Sequence, residues 1–120
     1  MSVSPLRLGI AGLGTVGGGV VRLVSEQSDL LQARCGRPVQ VAAVSALDQN
    51  KDRGLDLSAF DWHDDPVVMA GSEAIDVFVE LIGGESGPAK AGVEAAISAG
   101  KNVVTANKAL IAHHGTALAI

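Results

Sequence analysis

The 120-residue sequence predicts an α/β domain with helices packed on a parallel sheet, and three observations carry that expectation. Apolar, β-branched runs alternate with segments of helical spacing from one end of the chain to the other, which is the pattern of βαβ units. Aromatic residues are nearly absent, with two Phe, one Trp and no Tyr, while 48% of residues are hydrophobic. The core must therefore be Val, Ala, Leu and Ile, which suits strands covered on both faces. Finally, the first apolar run leads directly into glycines, where a strand hands over to a helix.

Taken in order, Leu6 to Ala11 reads as a buried strand. From Thr15 the spacing becomes helical, with Val16, Val20, Leu23, Val24, Leu30 and Leu31 near one face of a single long helix. That helix ends at "ARCGRP", with Gly36 as its cap and Pro38 just beyond. "VQVAAVSA" (39–46) is the second strand and "LDQNKDRGLDL" a polar loop. "AFDW" reads as a short strand. Asp64 or Asp65 caps a short helix opening at Pro66, where proline is tolerated. "AIDVFVELI" (74–82) is a long strand, "GGESGP" a turn, "AKAGVEAAISAG" a helix ending at Gly100, "NVVTA" a strand, and "NKALIAHHGTALAI" a further helix. That last helix stops at Ile120 with its apolar face still repeating, so the chain is expected to be the front part of a longer protein.

Composition limits the partners. Net charge is −4, with no basic cluster and almost no aromatic side chains on which bases could stack, so nucleic acid is not expected. The uncharged run Leu8–Val21 is too short for a bilayer, which takes about 20 apolar residues. It is broken by glycine and closes without an A-x-A site, so it is no signal peptide either. A soluble, cytoplasmic protein with no membrane partner is expected. Cys35 has no second cysteine to pair with, in keeping with a reducing compartment.

Gly12-Leu13-Gly14-Thr15-Val16-Gly17 is a G-x-G-x-x-G motif between strand and helix. Each glycine has a mechanical task there. Gly12 makes the tight turn, Gly14 lets the backbone approach a pyrophosphate, and Gly17 lets the helix pack on the strand. The helix N-terminus offers free N–H groups and a favourable dipole to the phosphates. The expected architecture is thus a doubly wound parallel sheet, a Rossmann-type dinucleotide-binding domain, over residues 1–120. Gly18 and Gly19 exceed the motif's needs and are expected to serve close packing against another element. An acid should accept hydrogen bonds from the adenosine ribose about 20 residues further on. Asp48, in Ser45-Ala46-Leu47-Asp48, is the candidate, and a solvated loop aspartate is the equal alternative.

Four segments together resemble homoserine dehydrogenase: "GIAGLGTVGGGV", "VSALDQNKDRGLDL", "IDVFVELIGG" and "GKNVVTANKALIAHHG". The resemblance implies an NAD(P)-dependent oxidoreductase that interconverts aspartate 4-semialdehyde and homoserine, in threonine and methionine biosynthesis. It implies that the acid–base residues and the dimerisation domain, through which the protein would form a homo-oligomer, lie past Ile120. This chain would be the cofactor domain, inactive alone. By position, the resemblance places Leu13, Thr15 and Val16 against the cofactor diphosphate through their backbone. It places Lys108 of "TANK" near nicotinamide and substrate, where its charge would stabilise developing negative charge. Ile82 and Gly83, which close "VELIGG", complete the expected cofactor-lining set. At position 47 the family often carries arginine, which can pair with the 2′-phosphate of NADP. Leu47 cannot, which moves the expected preference toward NAD. Two other classes stay open: a non-catalytic module sensing nicotinamide redox state, and a dehydrogenase of another amino-acid-derived aldehyde.

Other residues attract blander expectations. His63, His113 and His114 lack metal-ligand spacing, so no metal site is expected. Glu80 is expected to hydrogen-bond nearby backbone N–H groups, with a catalytic acid as the alternative, and "DWHDD" to form a solvated loop with a helix cap.

Overall fold

In the computed structural model, residues 4–46, 54, 57–82 and 87–105 are described, apart from the side chain of Thr15. They form strands β1 (Leu6–Ala11), β2 (Val39–Ser45), β3 (Asp61–His63), β4 (Val77–Glu80) and β5 (Asn102–Thr105). Helices are α1 (Thr15–Glu26), α2 (Ser28–Cys35), α3 (Pro66–Ala70) and α4 (Pro88–Ser98). The sheet has the order β3-β2-β1-β4-β5, with every pairing parallel. The chain moves outward from β1 to β3, then crosses back and continues from β4 to β5. Right-handed crossovers in the two directions place helices on opposite faces.

Two cores result. On one face Val21 and Val24 of α1 pack over Leu8, Ile10, Val41, Val44, Val77 and Val79. On the other, Met69, Ala70, Val93 and Ala96 of α3 and α4 pack with Ala11, Ala43, Ile75 and Phe78. The second layer is thin because small residues let the backbones approach. A Cβ on Gly92 would lie 2.8 Å from the Phe78 ring, and one on Gly9 would lie 2.8 Å from Ile75. The central strands are buried on both faces, as their continuous apolar runs require.

Four sequence expectations need correction. The long first helix is two helices, broken at Gln27, whose φ of −112° and ψ of 27° are not helical. Gly36, with φ 75°, caps the second of them. The buried face is also rotated from the expected one. Val16, Leu23 and Leu30 are 60%, 52% and 47% exposed, whereas Gly17, Val21 and Val24 face inward. Gly17 must face the turn after β1, and residues four and seven positions on follow it around the helix. The third correction shortens the strand in 74–82 to Val77–Glu80. Ala74 donates its N–H to Ser72 Oγ, turning the chain before the strand. Ile75 is nevertheless fully buried, so the apolar run reports burial beyond the paired backbone. The fourth moves the short strand from Ala59–Trp62 to Asp61–His63, so the first three residues of "DWHDD" pair with β2 rather than forming a loop. Asp65 is the residue that caps α3, accepting from the Val67 N–H at 2.9 Å. The helix expected from Asn107 lies outside the described residues.

Candidate dinucleotide site

Strand order reverses between β1 and β4, and past their carboxyl ends the glycine turn lies beside Leu81 and Ile82. In open α/β sheets this is where ligands bind. Gly12 begins the turn out of β1. Its N–H donates to the Ser45 carbonyl at 2.8 Å, and the Leu81 N–H donates to the Ala11 carbonyl at 2.8 Å. Gly12 has φ 98°, and a Cβ there would stand 2.7 Å from the Leu81 carbonyl oxygen. Both the backbone angle and the neighbouring strand end thus require glycine.

Gly14 is different. Its φ is −73°, which any residue can adopt, and a Cβ would meet nothing within 4 Å. The second glycine leaves space over the start of α1 rather than relieving a clash. Gly17 restores the close fit, since a Cβ there would fall 1.8 Å from the Gly12 carbonyl oxygen. The first turn of α1 has no acidic residue and no side-chain cap. Its leading N–H groups and positive dipole end can therefore attract an anion without competition from a carboxylate of the first turn.

The other expected residues are placed as follows. Leu13 is buried and packs in the core of the α1 face, so any ligand contact is through its backbone. Val16, near the start of α1, points outward and is 60% exposed. The backbone of Thr15 opens α1. Ile82 follows β4 beside the glycine turn and is 38% exposed. Leu47, Asp48, Gly83 and Lys108 lie outside the described residues. Gly18 is buried and donates its N–H to the Gly14 carbonyl at 2.8 Å. Gly19 is exposed with nothing within 4 Å of a Cβ, so close packing does not explain it.

Sequence reasoning underrated Glu80. It is fully buried at the end of β4. Its Oε2 accepts the Ile82 N–H at 2.6 Å, as expected of a backbone partner, but its Oε1 also accepts the Thr105 hydroxyl of β5 at 2.5 Å. At the carboxyl end of β3, His63 has a buried Nε2 with no partner among the described residues. At the amino-terminal end of the central strands, Arg7 of β1 forms a two-pronged ion pair with Asp76, at 3.2 Å from Nε to Oδ2 and 3.0 Å from an outer guanidinium nitrogen to Oδ1. The Arg7 N–H adds a bond of 2.9 Å to the same carboxylate. These donors, led by the guanidinium, hold the Asp76 carboxyl at a pKa of about 2, and the pairing raises that of Arg7. No helix among the described residues is long and apolar enough to cross a membrane.

A parallel sheet of order 3-2-1-4-5, with a glycine turn and helix N-terminus at its reversal point, defines a Rossmann-type NAD-binding domain. The family model "Homoserine dehydrogenase, NAD binding domain" matches residues 12–120, and the chain belongs to that family. It is 44% identical over 115 residues to the homoserine dehydrogenase of Pseudomonas aeruginosa, covering 94% of this chain and 25% of that one. It is 39% identical over 113 residues to that of Neisseria gonorrhoeae, covering 94% and 26%. A crystal structure of homoserine dehydrogenase from Thiobacillus denitrificans superposes with a TM-score of 0.87 at 35% identity, over 98% of this chain and 27% of that one. The chain therefore spans about a quarter of the length of the curated relatives it matches.

Proposed function

We propose that this chain supplies the cofactor half of an NAD(P)-dependent homoserine dehydrogenase, interconverting aspartate 4-semialdehyde and homoserine. The observation that carries the cofactor role is the pairing of two clash-limited glycines, Gly12 and Gly17, with an open one between them at the strand reversal. That open space is what a pyrophosphate needs. Backbone groups of Leu13, Gly14, Thr15 and Val16 would hold the diphosphate, with Ile82 and Gly83 along the opposite wall. Leu47 and Asp48 would lie toward the adenosine ribose, and Lys108 toward nicotinamide and substrate. The cofactor supplies the hydride chemistry; these residues bind and orient it.

Family membership favours this substrate over another aldehyde, and favours an enzyme over a redox sensor. The domain that completes the substrate site, supplies acid–base groups and forms a homo-oligomer would be a separate part of the protein, working in the cytoplasm. Residues 1–120 alone should then bind NAD or NADP and show no homoserine oxidation above background. Turnover by the purified 120-residue chain would overturn this division of labour. Binding of neither cofactor would overturn the reading itself.

A further inference from the structure

Glu80 has no part in the glycine turn, yet it ends β4 where the strand order reverses. In the sheet it lies level with Ala11 of β1 on one side and Thr105 of β5 on the other. Its side chain is fully buried, where a carboxylate is tolerated only if hydrogen-bonded. The Ile82 N–H at 2.6 Å and the Thr105 hydroxyl at 2.5 Å supply those hydrogen bonds. One oxygen thus gathers the backbone as it leaves β4, and the other gathers the end of β5. In sequence those two segments run on into Gly83 and toward Lys108. The ribose acid of such domains stands at the end of the second strand, so the adenosine half of a dinucleotide lies on the β2 side of the glycine turn. The other half must then lie over β4 and β5.

We propose that Glu80 is a positioning residue for that second half: its buried carboxylate clamps the ends of β4 and β5 together and gives the nicotinamide side of the site a single shape. The inference rests on the dinucleotide-site reading. The test is calorimetric titration of the full protein with ADP and with whichever of NAD and NADP binds tighter. It compares wild type, Thr105→Val, Thr105→Ser and Glu80→Gln, each checked by circular dichroism. Thr105→Val removes the donor while keeping the shape. It should weaken dinucleotide binding about tenfold and leave ADP within twofold, because ADP lacks the nicotinamide half. Thr105→Ser restores the hydroxyl and should return dinucleotide affinity to within about threefold. Glu80→Gln should repeat the selective loss, since the amide keeps one acceptor oxygen where two donors must be met. Unchanged dinucleotide affinity in Thr105→Val would overturn the proposal. So would an equal loss for ADP and dinucleotide, which is the mark of general damage. A wild-type protein that binds neither ligand would instead overturn the dinucleotide reading, a separate result.

Discussion

A Cβ on Gly17 would stand 1.8 Å from the carbonyl oxygen of Gly12. This one approach fixes how α1 sits on the sheet. With Gly17 against the turn, Val21 and Val24 are carried into the core, while Val16 and Leu23 turn to the surface. The helix N-terminus is thereby held at the strand reversal, where its amides can meet an anion.

Two substitutions in that helix should have opposite signs. Gly17→Ala forces α1 away from the turn and should cost at least about 2 kcal/mol, in the range of overpacked cores or above it. Gly19→Ala meets open space in a helix interior and should stabilise by about 0.5–1 kcal/mol through helix propensity. Urea unfolding of both variants checks the pair. A Gly17→Ala protein as stable as wild type would mean that the helix is not seated on the glycine turn.

Gly14→Val should separate binding from folding. The residue's φ of −73° accommodates valine and no atom stands in the way, so the far-ultraviolet spectrum should be unchanged. Loss of a favoured capping residue should cost no more than about 1 kcal/mol. Dinucleotide affinity should fall at least about a hundredfold, because the branched side chain fills the space proposed for the pyrophosphate. Isothermal titration on the folded variant is the check, and unchanged affinity would remove the loop from the site.

The Arg7–Asp76 pair should make stability depend on acid. The Asp76 pKa is lowered to about 2 from an ordinary value of 3.8. A carboxyl depressed in the folded state contributes fully above its unfolded pKa, and the contribution is lost as pH falls through the folded value. The stability difference between wild type and Asp76→Asn should therefore be constant above about pH 5 and shrink between about pH 4 and 2. Both groups are part-exposed, so raised salt should reduce it. A difference independent of pH across that window would mean that the pair contributes nothing through charge.

How far the sequence could be read depended on how local the cause was. The glycine turn, β1 and the Asp65–Pro66 helix start were legible because neighbours in sequence decide them. The break at Gln27 and the rotation of α1 were not, because an apolar pattern allows both faces until the Gly12–Gly17 contact selects one. Glu80 looked like a backbone-bonding strand end, and half of that was right. Its bond to Thr105 spans 25 positions and arises only when β4 and β5 pair in register. Leu47, Asp48, Gly83 and Lys108, named from the glycine fingerprint and the family resemblance, fall outside the described residues and stand as proposals.

Leu47 gives the next prediction, from charge alone. With no cation at that position to meet a 2′-phosphate, wild type should bind NAD at least as tightly as NADP. Leu47→Arg should shift the ratio toward NADP by roughly tenfold to a hundredfold, since a charge-assisted hydrogen bond contributes about 1.5–3 kcal/mol. The shift should shrink at high salt. Titrating both proteins with both cofactors checks it. If wild type already prefers NADP strongly, another residue reads the phosphate, and Lys51 or Arg53 of the same loop becomes the first to test.

The central claim is that the turn between β1 and α1 is a diphosphate site facing the end of β4. Amide spectra of isotope-labelled protein titrated with NAD test it residue by residue. The largest shifts should fall on Leu13, Gly14, Thr15, Val16 and Ile82, while Arg7 and Asp76, at the opposite end of the central strands, stay unmoved. Saturable binding whose shifts leave Leu13 to Val16 untouched would contradict it.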